Sequence, residues 1–229
     1  MDRPFTLSEG VDSWNTIIFL YRSALKEVST KVEILNDEFQ QVHQYNPIEY
    51  IKSRIKSPES IVKKLKRGGY EVTIPNMIEH LSDIAGIRII CSFSPDIYRI
   101  AEMIARQSDV TVLVVKDYIK NPKPNGYRSY HMIVEVNLGH LFSEQTCRVE
   151  IQLRTSAMDF WATLEHKVRY KYDGQIPEQL SGELQNCAEQ IHALDERMYL
   201  IHKVVDMINQ SEVDIEQIHQ TIFELYVKN

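Results

Sequence analysis

Residues Cys147 to Arg154 read C-R-V-E-I-Q-L-R, with apolar and polar side chains alternating along the whole stretch. Successive side chains of a β-strand point to opposite faces, so the pattern predicts a strand with one apolar and one polar face. The polar face carries a carboxylate and an amide between two guanidinium groups, on Arg148, Glu150, Gln152 and Arg154. Such a face could hold a metal ion and an anionic ligand together. Alternation alone, however, more often indicates a half-exposed antiparallel strand whose polar side meets only water.

The segments around this strand predict a mixed α/β domain. β-branched and alternating runs predict further strands at residues 86–93, 110–119 and 130–138, and helical spacing predicts a helix at 96–107. Residues 139–146 resemble a hairpin loop, so the strands on either side of it are expected to be antiparallel neighbours.

Apolar residues at intervals of three and four predict long helices towards both ends of the chain. The N-terminal stripe runs from Val11 to Val42 and stops before Asn46-Pro47, where the residue preceding proline disfavours helix. After the strand, a helix from Thr155 or Ser156 is predicted with Ala157, Phe160, Trp161, Leu164 and Val168 on one face. A second stripe follows from Leu184 to Ile208, and a short helix at 215–225. Heptads indicate a partner surface without identifying it, so packing on the chain's own sheet and subunit contacts both remain open.

Composition excludes several classes of protein. The 229 residues are 43% hydrophobic and carry a net charge of −6, which is typical of a globular domain without an overall basic field for nucleic acid. The sequence shows no signal-peptide pattern and no apolar run long enough to span a bilayer. Three widely spaced cysteines without a C-x-x-C argue against a disulfide framework or a structural zinc site, and favour a reducing cytoplasm.

Basic and hydroxyl side chains cluster around a predicted helix start at Ser57-Pro58, a helix that should end near Gly68-Gly69. A helix N-terminus offers unpaired N–H groups and a positive dipole end that suit phosphate. The surrounding residues that could grip a polyphosphate are Arg54, Lys56, Ser60 and Lys64. The alternative is a basic helix face in solvent.

Two acidic residues are candidates for a metal site. Asp83 precedes the predicted strand at Gly86, from which Arg88 would leave on the face opposite its apolar neighbours. An aspartate here can simply cap a turn, unless a second carboxylate such as Glu150 converges on it. Mg²⁺ prefers one or two carboxylates completed by phosphate oxygens and water.

The segment Asn125 to His131 reads N-G-Y-R-S-Y-H and follows a turn that carries Lys123. Strand parity can place Tyr127, Ser129 and His131 on one face, and an exposed aromatic ring there can stack on a base. Because a buried strand rarely carries such a polar run, the pattern favours a binding site.

Four ordered motifs resemble the synthetase domain of RelA/SpoT proteins, which make the alarmones ppGpp and pppGpp. They are R-I-K-S-P-E-S-I-x-x-K from Arg54, D-I-A-G-I-R-I from Asp83, K-P-N-G-Y-R-S-Y-H from Lys123, and V-E-I-Q-L-R-T-S-A-M-D-F-W-A-T-L-E-H from Val149. Length and flanking helices are similar to those of stand-alone small alarmone synthetases of the RelP type. The resemblance implies an α/β fold with a nucleotidyltransferase-like mixed β-sheet. It implies one synthetase domain, with a catalytic core at about 47–172. Flanking helices at 11–45 and 177–228 would build a homotetramer.

The resemblance also implies roles for individual residues. The ATP-binding residues would be Arg54 and Arg88 on the two faces of adenine, with Lys56, Ser60 and Lys64 on the phosphates. Asp83 and Glu150 would bind Mg²⁺, and Glu150 is also a candidate base for the acceptor hydroxyl. Tyr127 would stack on the guanine of GDP or GTP. The remaining residues implied to position the acceptor and phosphates are Lys116, Lys123, His131, Gln152 and Arg154.

The implied reaction is attack of the 3′-hydroxyl of GDP or GTP on the β-phosphorus of ATP, with AMP leaving. No His-Asp dipeptide occurs, so the hydrolase half of the long bifunctional relatives is expected to be absent, as is a regulatory module. Two other classes remain open: a different nucleotidyl- or phosphotransferase, and a non-catalytic nucleotide- or RNA-binding regulator. The net charge of −6 argues against extended RNA binding, and neither a DNA nor a membrane partner is expected.

Overall fold

The computed structural model describes residues 11–43, 45–138, 146–171 and 177–209, together with 219, 220 and 223. Within them the helices are α1 (Val11–His43), α2 (Pro58–Arg67), α3 (Ile74–His80), α4 (Ser94–Ala105), α5 (Ser156–Lys171) and α6 (Glu178–Asn209). The strands are β1 (Ile48–Ile55), β2 (Ala85–Cys91), β3 (Val110–Asp117), β4 (Tyr130–Asn137) and β5 (Thr146–Thr155). None of the described helices is long and apolar enough to cross a bilayer.

The five strands form one mixed sheet in the order β1-β2-β5-β4-β3. Strands β2 and β5 run parallel, whereas the other neighbouring pairs are antiparallel. The predicted mixed sheet and the predicted antiparallel pairing of β4 with β5 are therefore confirmed. Strand β5, which contains the alternating stretch from Cys147 to Arg154, lies at the centre of the sheet.

The alternation in β5 divides the sheet into an apolar and a polar face. Ile151 and Leu153 are completely buried in one core with Ile87 and Ile89 of β2. Helices α1 and α4 contribute to the same core, so they cover the apolar face. On the polar face, one row of paired residues is Arg54, Gly86, Glu150 and Ile133, and the next is Lys52, Arg88, Gln152, His131 and Lys116.

Two elements, β1 and α3, were not predicted. Strand β1 reads I-E-Y-I-K-S-R-I and lies at the edge of the sheet, where only Ile48 is fully buried. An edge strand with so few buried positions has no apolar alternation to detect. Helix α3 has seven residues with Thr73 as its N-cap and buries only Met77, so it is too short to show a period.

The two heptad stripes have different environments. The α1 stripe packs on the chain's own sheet, since Val28, Val32 and Phe39 are at most 2% exposed. The α6 stripe is left open along its second half, at Leu194, Met198, Ile201, Val205 and Ile208. In α5 the predicted apolar face is split, because Trp161 is buried while Phe160, Leu164 and Val168 are exposed. The predicted helix at 215–225 lies almost entirely outside the described residues.

Candidate active site

A cleft of about 360 Å³ opens on the polar face of β1, β2 and β5. It is lined by Lys52, Ser53, Arg54, Gly86, Ile87, Arg88, Glu150 and Gln152. The cleft therefore brings together four residues selected from the sequence, namely Arg54, Arg88, Glu150 and Gln152. Lys52 and Ser53 were missed because β1 was missed, although Lys52 and Arg54 two positions apart are a signal for a shared face.

Gly86 forms the floor of this cleft between Arg54 and Glu150. A Cβ atom at Gly86 would meet no other atom closer than 4.0 Å, the nearest being Cγ of Arg54 and the carbonyl oxygen of Glu150. The absence of a side chain at Gly86 therefore keeps the floor of the cleft open for a ligand.

The predicted phosphate-binding lysines surround the predicted metal ligand Asp83. The Nζ atoms of Lys56 and Lys64 lie 2.6 Å and 2.8 Å from Oδ2 of Asp83. Burial acts to raise the pKa of Asp83, but hydrogen bonds and charges of the two lysines outweigh it and lower the pKa. Oδ1 of Asp83 is buried and has no hydrogen-bond partner among the described residues. The carboxylate is thus held ionised with one oxygen available.

The start of α2 has the predicted cap, which places Ser60 beside these lysines. Oγ of Ser57 accepts a hydrogen bond from the backbone N–H of Ser60 at 3.3 Å, and Pro58 begins the helix. The Ser60 hydroxyl lies 3.1 Å from that of Ser57 and is exposed. The exposed Ser60 hydroxyl therefore lies at the positive dipole end of α2, where it is open to an anion.

Glu150 keeps one carboxylate oxygen largely free. Its Oε2 accepts a hydrogen bond from Nε2 of Gln152 at 3.0 Å, whereas Oε1 lies 3.7 Å from Nδ1 of His131. Burial, followed by the charges of nearby Arg and Lys residues, lowers the pKa of His131 to about 3, so the imidazole is neutral near pH 7. Across the described ranges, no three His, Cys, Asp or Glu side chains form a cluster that could hold a metal ion.

The aromatic ring of Tyr127 is held by its hydroxyl at the other side of the polar face. The hydroxyl accepts a hydrogen bond from Nη2 of Arg154 at 2.7 Å and lies 2.8 Å from Nε2 of His131. Nζ of Lys123 lies 4.7 Å from the centre of the Tyr127 ring. Lys116 is exposed opposite His131 in the β3–β4 register. Ser129, expected on the same face as Tyr127, is fully buried, donates to the Leu153 carbonyl and accepts from Nε of the same Arg154.

Asp159, in the first turn of α5, is a site residue to which sequence analysis assigned no role. Its Oδ1 accepts hydrogen bonds from Nη1 of both Arg88 and Arg154, at 3.0 Å and 2.9 Å. Its Oδ2 accepts from the hydroxyl of Tyr50 at 2.9 Å. The available signal was an aspartate between apolar residues in M-D-F-W, a position where a carboxylate is buried only with partners.

Residues 53–175 match the model of the region found in RelA/SpoT proteins, and this match spans more than half of the chain. The GTP pyrophosphokinase YwaC of Bacillus subtilis (strain 168) is 48% identical over 200 residues, which cover 87% of this chain and 95% of the relative. The chain therefore belongs to the RelA/SpoT family, as the four motifs predicted.

Solved structures refine this assignment to the small alarmone synthetases. The crystal structure of small alarmone synthetase 2 from Bacillus subtilis has a TM-score of 0.75 and 46% identity, covering 83% of this chain and 98% of that one. Small alarmone synthetase 1 from the same species, bound to its product pppGpp, has a TM-score of 0.75 and 39% identity, covering 83% of this chain and 96% of that one. The predicted fold and the predicted enzyme class, a GTP pyrophosphokinase, are confirmed, while the RelP subtype stays a prediction.

Proposed function

We propose that the cleft transfers pyrophosphate from ATP to the 3′-hydroxyl of GDP or GTP and releases AMP, without hydrolase activity. The observation that carries this proposal is the single polar face on which Arg54, Arg88 and Glu150 line one cleft. Lys56 and Lys64 follow β1 in the chain, the half-buried Asp83 precedes β2, and Tyr127, held by Arg154, precedes β4 of the same sheet.

The donor nucleotide is assigned to the β1–β2 side of the cleft. Arg54 and Arg88 project from neighbouring rows of these strands on the same face, where two planar guanidinium groups can enclose an adenine ring. The ATP phosphates would then meet Lys56, Lys64 and the α2 N-terminus with Ser60. When phosphate binds, Lys56 and Lys64 would interact with both the Asp83 carboxylate and the ligand phosphates.

Asp83 and Glu150 are assigned to the divalent metal ion, taken as Mg²⁺. Oδ1 of Asp83 has no hydrogen-bond partner among the residues described, and Oε1 of Glu150 has only a distant contact with neutral His131. Two carboxylate oxygens completed by substrate phosphates are a donor set that Mg²⁺ accepts. When bound, the ion would neutralise charge on the transferred phosphates.

The acceptor nucleotide is assigned to the β4–β5 side, with guanine stacked on Tyr127 and Lys116, Lys123, His131 and Gln152 around its sugar and phosphates. Glu150 would accept the proton of the 3′-hydroxyl while the 3′-oxygen forms a bond to the β-phosphorus of ATP. The bond between the β-phosphorus and the oxygen that bridges it to the α-phosphorus then breaks, and AMP leaves with the electron pair. Positioning and charge neutralisation account for most of the catalysis of such transfers.

Glu150→Gln tests this assignment because it preserves the size of the side chain and removes its charge. Formation of AMP and alarmone from ATP, GDP and Mg²⁺, followed by nucleotide chromatography, should fall by at least about 100-fold, the usual contribution of a general base. Glu135→Gln is the matched control, since Glu135 lies on β4 opposite Arg148, outside the residues that line the cleft. Near wild-type synthesis by Glu150→Gln would exclude the assigned role. A product other than a 3′-pyrophosphorylated guanosine nucleotide would identify a different transferase.

The proposal includes a single synthetase domain with its core at about 47–172, and a homotetramer formed through the flanking helices at 11–45 and 177–228. The exposed apolar stripe on α6 supports subunit contacts there. The proposed compartment is the cytoplasm, which suits the free thiols of Cys91, Cys147 and Cys187.

A further inference from the structure

We propose that Asp159 is a positioning residue that couples the donor and acceptor subsites, by holding Arg88 on one side and the arginine that anchors Tyr127 on the other. The inference rests on the roles proposed above for Arg88 and Tyr127. It assigns to Arg154 a structural task in place of direct contact with phosphate.

Two arginines share one carboxylate oxygen of Asp159. Arg88 and Arg154 both donate to Oδ1 of Asp159, at 3.0 Å and 2.9 Å, while the hydroxyl of Tyr50 donates to Oδ2 at 2.9 Å. The side chains of Asp159 and Arg154 are 6% and 5% exposed, so this contact is shielded from water and salt. Asp159 therefore fixes two guanidinium groups at once.

Arg154 directs its other nitrogens to protein acceptors. Its Nη2 donates to the Tyr127 hydroxyl at 2.7 Å and to Oε1 of Gln152 at 3.2 Å, and its Nε donates to Oγ of Ser129 at 3.4 Å. With each of its nitrogens engaged and almost no exposed surface, Arg154 is placed to orient Tyr127 and Gln152. Ligand phosphate would have to displace these bonds.

Asp159 also offsets the electrostatic repulsion between Arg88 and Arg154. The pKa of Arg88 is lowered first by burial and then by the charge of Arg154, and Asp159 acts in the opposite direction. Without the carboxylate, two neighbouring guanidinium groups would repel each other across a poorly solvated gap. Nε of Arg88 has no hydrogen-bond partner within the described ranges, so its contact with Asp159 is the main restraint seen on its orientation. Its side chain remains 30% exposed and reaches the cleft.

Asp159→Asn tests the coupling, because it retains the shape of the side chain and removes its charge. Steady-state kinetics should show the KM for ATP and the KM for GDP both raised by at least about fivefold, the size expected when hydrogen bonds to a charged group are weakened. Tyr50→Phe removes only the third hydrogen bond to Asp159 and should raise both values in the same direction by a smaller factor. This second variant keeps the test valid if Asp159→Asn folds poorly.

Asp96→Asn is the matched control for losing a buried carboxylate. Asp96 is 8% exposed at the start of α4, where it accepts from the Tyr45 hydroxyl at 2.7 Å and from the Phe93 N–H at 3.2 Å, outside the residues assigned to the site. We expect it to lower the melting temperature and leave both KM values unchanged. If Asp159→Asn does the same, the coupling role is excluded.

A double variant identifies the route of the effect. If Asp159 acts on ATP through Arg88, then Asp159→Asn should change the KM for ATP far less in an Arg88→Ala background than in the wild type. Full additivity of the two changes would overturn the proposal. Unchanged KM values in Arg88→Ala and Tyr127→Ala would instead overturn the subsite roles on which the coupling rests.

Discussion

Individual atoms of the polar face fall into two groups, those with protein partners and those without. Nitrogens of Arg154 are engaged by protein acceptors, which makes it part of the framework. Oδ1 of Asp83 and Nε of Arg88 have no hydrogen-bond partners among the described residues, although both are buried. Buried polar atoms without partners are costly, so binding of a ligand or an ion that supplied partners for these two atoms would be favoured.

Tyr127→Ala is expected to weaken GDP binding selectively. Base stacking contributes about 1–3 kcal/mol per base, so the Kd for GDP should rise about 5- to 150-fold, with the Kd for ATP little changed. Calorimetric titration of each nucleotide measures this directly. Tyr127→Phe is the matched control, because it keeps the ring and loses only the bonds of the hydroxyl to Arg154 and His131. Equal losses for ATP and GDP in Tyr127→Ala would exclude the stacking role.

Among the secondary-structure elements, the turn before Tyr127 depends on two helices that follow it in the chain. Nδ2 of Asn125 donates to Oε1 of Glu165 on α5 at 3.1 Å. Gly126 has φ of +85° and packs against α6, where an added Cβ atom would lie 2.5 Å from Cβ of Ala188. The position of the Tyr127 ring, which is proposed to stack on guanine, is therefore set by the packing of α5 and α6.

Gly126→Ala is expected to displace this turn and raise the KM for GDP, with a smaller effect on the KM for ATP. The left-handed conformation costs a non-glycine residue about 1–2 kcal/mol, and the contact with Ala188 adds to it. Steady-state kinetics with each substrate varied provides the measurement. In the double variant Gly126→Ala with Ala188→Gly, the clash with Ala188 is removed but the unfavourable backbone conformation remains. The KM for GDP should therefore lie between those of the wild type and Gly126→Ala.

Gly182→Ala is the matched control for that change. Gly182 lies in α6 with no other atom within 4 Å of the added Cβ atom, so the substitution should leave the kinetics unchanged and favour the helix by up to about 1 kcal/mol. A KM for GDP that is equally affected in Gly182→Ala and Gly126→Ala would show that the turn is not specifically responsible.

At the scale of the whole molecule, α6 presents an apolar stripe that is exposed in the single chain. In the single chain, Leu194 and Ile201 are 59% and 50% exposed. They belong to the stripe of exposed apolar residues along one face of α6. Exposed apolar surface of this kind marks an interaction site, and the heptad spacing fits a partner helix.

Leu194→Glu with Ile201→Glu is expected to dissociate the proposed tetramer, because both charges would be buried in the subunit contact without partners. Light scattering coupled to size-exclusion chromatography gives the mass before and after the change. Ala193→Glu is the matched control, since residue 193 is exposed on α6 but outside the stripe. An unchanged mass in the double variant would place the subunit contact elsewhere.

Much of the site could be derived from local patterns alone. Alternation in Cys147–Arg154 fixes which residues share a face, and the Ser57-Pro58 cap fixes where α2 begins, since both effects act within a few residues. The residues of the four motifs resemble those of the RelA/SpoT family, and the comparisons confirm this family. The strand face and the helix start depend only on neighbours in the chain, which a sequence records directly.

The tertiary structure alone established what the polar side chains meet. Asp159 accepts a hydrogen bond from Arg88, which lies 71 positions earlier in the chain. This contact forms only because β2 and β5 lie side by side and α5 follows β5 directly. Edge strand β1, which supplies Lys52, has no apolar pattern, and the α1 and α6 stripes look alike in sequence although one is buried and the other exposed. Periodicity shows that a face is apolar or polar, but contacts between distant segments are set by strand order and helix packing, which no local pattern encodes.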